Sequence, residues 1–328
     1  MAEKGLFLQN IIAVVWDFDK TLSPHYMQKP LFEAYRIDES RFWKEVRALP
    51  EFYARAGVTV QPDTCYLGHL LSYVQAGRMP NLTNSRLREL GERIEFFPGV
   101  PEVFASMKAS VEHARYRELD IRLEHYVVST GLAEMIRGSK IFQYLDGVYA
   151  SEFIEVPAGP EPNFIRDPQR GEISQIASFL DNTTKTRALF EINKGVGREK
   201  SISVNDTIPE DERRVPFKNM LYIADGPSDI PSFSVVMKHG GWTCAVYDPH
   251  DSDHFEQAAS LLQNKRVHYY CESDYRAESA TARSLLRQVR LIADRMVVER
   301  TKAFASKVGR GPSHSPEGES ASLGHEKP

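Results

Sequence analysis

The segment Val14-Val-Trp-Asp17-Phe-Asp19-Lys-Thr21 sets two carboxylates one residue apart at the end of an apolar run. Ile11, Ile12, Ala13, Val14 and Val15 suit a buried strand, and an α/β sheet keeps its chemistry at the carboxyl ends of its strands. Carboxylates so spaced can share a hard cation or divide the roles of nucleophile and acid/base. Other strand-like runs also end in polar groups: Ser129-Thr130-Gly131 after Tyr126-Val-Val128, and Asp225-Gly-Pro-Ser-Asp229 after Leu221–Ala224. Lys185 stands where a helix over 186–194 should begin.

A carboxylate nucleophile, a cation site and a positive side chain together suit phosphoryl transfer. Asp17 would attack phosphorus and form an acyl phosphate. Asp19 would protonate the departing oxygen and then activate water. Mg²⁺ takes oxygen ligands, which Asp17, Asp225 and the carbonyl of Asp19 supply, with Asp229 either a further ligand or a group that orients one. Lys185 would balance charge on nucleophile and phosphate, while the Ser129 hydroxyl and nearby backbone N–H groups hold phosphate oxygens. Singly, each feature has a plainer reading: an aspartate after a strand caps a turn, Ser-Thr-Gly is a turn, and a lysine is a surface lysine. Their joint occurrence in this order, each beside the expected element, carries the functional reading. Lys194 is an alternative to Lys185, though at the far end of the same helix.

The elements that must position these groups alternate. Strands are expected near 9–17, 125–131, 148–153, 219–224 and 241–246, and helices over 101–115, 132–138, 186–194, 251–264 and 277–306. That pattern predicts an α/β fold: a Rossmann-like, mostly parallel sheet with helices on both faces. Residues 30–92 lack strand-like alternation and read as helices over 38–56, 64–77 and 83–93, with breaks near Gly57, Pro62, Gly77 and Pro80. They form a helical insertion after the first strand. The proline-rich 155–181 reads as a loop or short hairpin, 195–217 as a solvated surface loop, and 308–328 as a disordered tail with little to bury.

The four segments resemble the motifs of the haloacid dehalogenase-like (HAD) hydrolase superfamily, in particular its phosphatases. Asp17-Phe-Asp19-Lys-Thr21 is similar to the first motif, Ser129 to the second, Lys185 to the third and Asp225-Gly-Pro-Ser-Asp229 to the fourth. The resemblance implies Mg²⁺ as cofactor, with Asp17, Asp19, Asp225 and Asp229 as the metal-site residues. The second aspartate argues against a dehalogenase. The insertion resembles the type 1 cap of the phosphoserine phosphatase-like branch, giving a core of residues 1–23 and 94–307 and a cap of 24–93. Such a cap implies a small soluble phosphomonoester as substrate. Contacts are expected from Ser129, Thr130, Gly131, Lys185, Lys20 and His25; His25, Tyr26, Gln28 and Lys29 follow the first motif closely and are candidates for substrate contact or a hinge role, or else form a plain surface linker. Trp43, Phe52, Tyr53 and Tyr66 would line a cap pocket or, more simply, hold the helices together.

Composition narrows the rest. Forty-one Lys plus Arg face forty-five Asp plus Glu in 328 residues, which favours neither nucleic acid nor an anionic membrane as partner. No run of 18 apolar residues or secretory leader is read. Three scattered cysteines, Cys65, Cys244 and Cys271, point to a reducing, cytoplasmic setting. The histidines match no metal-ligand spacing and read as structural or solvated. The chain is expected to be a monomer or homodimer. A phosphotransferase or phosphomutase using the same aspartyl phosphate, or a catalytically silent scaffold, are the competing functions.

Overall fold

Ile11–Trp16 (β1) is buried at every position. Side chains of a strand alternate between faces. Here Ile12, Val14 and Trp16 enter one apolar cluster while Ile11, Ala13 and Val15 enter the other. A strand covered on both sides is the mark of the centre of a parallel sheet. The computed structural model describes residues 7–158 and 170–308.

After β1 come four helices, Lys29–Ala34 (α1), Glu39–Ala54 (α2), Cys65–Gln75 (α3) and Asn84–Gly91 (α4), which form a cap-like insertion. Glu102–Ala109 (α5) and the short Ala114–Arg117 (α6) lead to Arg122–Leu132 (β2), Ala133–Gly138 (α7) and Gly147–Ile154 (β3). Gln175–Ser178 (β4), Lys185–Lys194 (α8), Met220–Ala224 (β5), Ile230–Lys238 (α9), Trp242–Tyr247 (β6), Ser252–Gln263 (α10), Tyr269–Glu272 (β7) and Ala280–Val308 (α11) complete the described chain. The seven strands run in the order β4-β3-β2-β1-β5-β6-β7. All neighbours are parallel except β4, which pairs antiparallel with β3.

Two helical layers cover the sheet. Val103, Phe104 and Met107 of α5 join Leu285, Val289 and Ile292 of α11 on one face. Ala188, Leu189 and Ile192 of α8, Phe233 and Val236 of α9, and Ala258 and Leu261 of α10 fill the other. The insertion is continuous with the first face: Phe32, Phe42, Leu67 and Leu70 belong to the same cluster as Trp16 and Phe104. At its far end α4 packs directly on α7. A Cβ on Gly91 would lie 2.1 Å from the Met135 carbonyl oxygen, and one on Gly138 would lie 1.7 Å from that of Arg88. Only glycine permits so close a backbone approach.

Several expectations change. Ser129-Thr130-Gly131 is not a turn after the second strand but lies within β2, where the register with β3 shifts between Val128 and Leu132. The segment 155–181 yields the β3–β4 hairpin, with residues 159–169 outside those described. The stretch 195–217 is not wholly solvated. Val215 and Phe217 are buried, and Arg214 pairs with Glu124 with both side chains largely covered. The last helix runs to Val308, the first residue of the expected tail 308–328, whose remainder lies outside the described residues. Strand β7 and helix α1 were not anticipated. Among the described residues no helix is long and apolar enough to cross a membrane.

Candidate active site

The strand order brings the polar strand ends together. Because β1 lies between β2 and β5, the carboxyl ends of all three point at one place. The Asp17 N–H donates to the Ile223 carbonyl at 2.9 Å, tying the end of β1 to β5. The chain then turns tightly: the N–H groups of Thr21, Leu22 and Ser23 all aim at the Phe18 carbonyl, and Lys20 takes a left-handed φ of 61°. Tyr275 anchors the turn from β7's far side, its hydroxyl donating to the Thr21 carbonyl at 2.7 Å.

Carboxylate oxygens of Asp17, Asp225 and Asp229 lie within 4.8 Å of one another. Lys185 is buried among them, and its Nζ donates to Asp17 Oδ1 and Asp229 Oδ1, each at 2.8 Å. Its placement follows from the turn before α8, where the Asp181 carboxylate accepts from the N–H groups of Thr183 and Thr184. Lys194, the alternative, is instead bound to the Val204 and Asp206 carbonyls. Asp229 also accepts from the Tyr222 hydroxyl and from Ser228 Oγ, so both its oxygens are engaged.

Burial dominates the electrostatics. It raises Asp17 to about 6 against the opposing pull of Lys185. Burial, reinforced by the Asp17 charge, raises Asp19 to about 8. Asp225 is pushed well above the carboxylate range by burial and then by Asp17 and Asp229. Burial works against the charged form of Lys185, but Asp17 and Asp229 outweigh it and hold the ammonium well above its ordinary range. Three carboxylates and one ammonium leave this pocket short of positive charge. Such a donor set fits a hard divalent cation.

The other expected residues divide. Asp19 is beside the cluster, but its carboxylate is not among the three that converge; its Oδ1 accepts from the Met27 N–H at 2.8 Å. Ser129 is buried, and its Oγ accepts from the Gly131 N–H at 3.0 Å, so the Gly131 amide is occupied. The Thr130 carbonyl accepts from Tyr66 and Ser151. Lys20 is turned back to the Pro24 carbonyl at 2.7 Å and lies over the Tyr26 ring. His25 is not brought to the aspartates: it pairs with Glu95 at 3.6 Å, where the two chain segments joining insertion and sheet meet. Of the four aromatic residues, Phe52 and Tyr53 are exposed, Trp43 packs against Tyr26, Phe42 and Tyr66, and Tyr66 alone crosses to the sheet. Sequence reasoning missed Met27, Tyr222 and Asp181. Tyr222 sits in an apolar run and Met27 in a mixed segment, His25-Tyr-Met27-Gln-Lys29, and neither gave a signal; Asp181, four residues before Lys185, could have been read as a turn cap.

A central β1 ending in Asp17, with Ser129, Lys185 and the Asp225–Asp229 loop gathered around it and helices inserted after the first strand, is the arrangement that the resemblance of the four motifs to those of HAD-superfamily hydrolases leads one to expect. An uncharacterized protein of Borreliella burgdorferi is 37% identical over 274 residues, spanning 81% of this chain and 92% of its own length. The chain belongs to the same family as that protein. No family model matches the chain. Among solved structures, a phosphoserine phosphatase in apo form is similar at 16% identity and a TM-score of 0.45, over 80% of this chain and 95% of its own. A HAD family hydrolase from Salmonella enterica serovar Typhi is similar at 14% identity and a TM-score of 0.45, over 80% of this chain; the chain spans 66% of that protein.

Proposed function

We propose that the protein is a Mg²⁺-dependent phosphomonoester hydrolase acting through an aspartyl phosphate on Asp17. The observation that carries this reading is the buried Asp17–Lys185–Asp229 bridge beside Asp225. Lys185 holds one Asp17 oxygen and leaves Oδ2 to attack phosphorus. As the P–O bond to the leaving alcohol breaks, Asp19, raised to about 8 and so protonated at neutral pH, gives its proton to the departing oxygen. In the second half Asp19 takes a proton from water, the water oxygen attacks phosphorus, and the bond to Asp17 breaks. Phosphate leaves and both aspartates return to their starting state.

Asp17, Asp225 and the Asp19 carbonyl are the groups that would hold Mg²⁺. Asp229, with both oxygens engaged, serves chiefly to position Lys185. When bound, the cation supplies charge that stabilises the phosphoryl oxygens. Ser129 and backbone N–H groups beside it would receive those oxygens. Residues 24–93 would act as the cap over a core of 1–23 and 94–307, and their coverage of the site favours a small substrate.

Phosphate release from a panel of phosphomonoesters, with Mg²⁺ and with EDTA, tests the reading. Native protein should release phosphate only with Mg²⁺, and Asp17→Asn should lower the rate at least about a thousandfold. Undiminished release from Asp17→Asn would overturn the mechanism.

A further inference from the structure

Two residues of the insertion reach the irregular stretch of β2 that carries Ser129. From α3, the Tyr66 hydroxyl donates to the Thr130 carbonyl at 2.8 Å. Tyr66 is buried, and the side chains of Gln28 and Ser151 lie beside its hydroxyl. From the segment before α1, Met27 is wholly buried against the same stretch: the Leu132 N–H points at its sulfur at 3.0 Å, and a Cβ on Gly131 would lie 2.2 Å from its terminal methyl. The backbone N–H of Met27 is also the donor to Asp19 Oδ1.

The stretch needs such support. The register between β2 and β3 shifts here, between Val128 and Leu132. The amides of Gly131 and Leu132 have a serine hydroxyl and a thioether as partners, and a thioether is a weak acceptor. What shields these amides from water is the cover provided by Met27 and Tyr66. The same cover fixes where Ser129 and Asp19 stand.

We infer that Tyr66 is a positioning residue: its bond to the Thr130 carbonyl makes the docked insertion the condition for aligning Ser129 with Asp17. The inference rests on the phosphatase reading for its kinetic part and on geometry alone for its structural part. Small misplacements of a reacting group lower rates steeply. Tyr66→Phe keeps the ring and removes only the donor.

The test compares Tyr66→Phe with Tyr73→Phe. The latter breaks a hydroxyl bond to Glu45, which lies within the insertion. Two readouts are taken: amide hydrogen exchange over residues 126–132, and kcat and KM for the best ester of the panel. Tyr66→Phe should speed exchange over 129–132 about tenfold or more and lower kcat about tenfold or more, with KM within about threefold of native. Tyr73→Phe should leave both unchanged. Native exchange at 129–132 in Tyr66→Phe, or an unchanged kcat, would overturn the inference, as would an equal response in Tyr73→Phe. If native protein released no phosphate from any ester, the phosphatase reading would fall, while exchange would still decide whether Tyr66 holds the stretch.

Discussion

Two buried places in this molecule are held together by opposite means. Around Lys185, three carboxylates and an ammonium sit close together, Asp17, Asp229 and Lys185 buried and Asp225 half-buried, and hydrogen bonds from Lys185 join Asp17 to Asp229. Between α4 and α7 two backbones meet because Gly91 and Gly138 lack side chains, with an ion pair, Arg88 to Glu134 at 2.7 Å, beside them. The first is an assembly of charge, sensitive to protons and cations. The second is chiefly an assembly of shape, with that ion pair at its margin. The insertion therefore meets the sheet's helical layer by backbone contact at α4, and meets Ser129's strand through the Tyr66 hydroxyl and the Met27 side chain.

The largest expected effect comes from breaking the charge assembly. Lys185→Met should cost about 4 kcal/mol in urea unfolding with EDTA at neutral pH, because buried carboxylates lose their cation. Gly138→Ala should cost about 3 kcal/mol through overpacking at the seam, with equal cost in EDTA and in Mg²⁺. Saturating Mg²⁺, at a hundred times its dissociation constant, should stabilise native protein by about 2.7 kcal/mol. It should do much less for Asp225→Asn, and nothing to change the cost of Gly138→Ala. A melting curve insensitive to Mg²⁺ in native protein would remove the contrast.

A smaller effect separates protons from shape away from the aspartates. His125 is wholly buried; Trp16 donates to its Nδ1 at 3.2 Å, and its Nε2 faces the Phe104 carbonyl at 3.1 Å. Burial lowers it to about 3. The unfolded chain then takes a proton below about 6.5 that the folded one refuses, so stability is lost as pH falls from there towards 3. Between pH 6.5 and 5 the native advantage over His125→Phe should shrink by about 2 kcal/mol. The aspartates act in the other direction. Asp19 and Asp17, raised to about 8 and about 6, contribute stability below pH 4 that is lost as pH rises through those values. The difference between native protein and His125→Phe isolates the histidine. The smallest effect is at the seam's edge: Thr83 caps α4 by accepting from the Arg86 N–H at 3.0 Å, and Thr83→Ala should cost about 1 kcal/mol at any pH and any Mg²⁺ level.

What was legible in the sequence follows the same division. β1, β2 and β5 are apolar runs that end in polar groups, so their type and approximate ends were readable, and with them Asp17, Ser129 and Asp225. Lys185 could be preferred to Lys194 because a helix start has a direction. The helices α2, α3 and α4 had period and breaks. By contrast β7 is four residues and α1 six, too short for a period to declare itself. His25 was read as a candidate for substrate contact or a hinge role because it follows Asp19 closely; the turn at Phe18 sends it to the junction with Glu95, a placement that only the fold reveals. The ties from Tyr66 to Thr130 and from Met27 to Leu132 join residues 64 and 105 positions apart, and no local pattern announces a partner so distant.

The bond from Lys185 to Asp17 spans 168 residues of chain. During synthesis Asp17 leaves the ribosome long before the ammonium that bridges it to Asp229, and before the loop that carries Asp225 and Asp229. A nascent or clipped chain ending short of Lys185 keeps Asp17 and Asp19 but lacks the ammonium and the other two members of the cluster. Interrupted production of this protein therefore yields fragments in which the charge cluster cannot assemble.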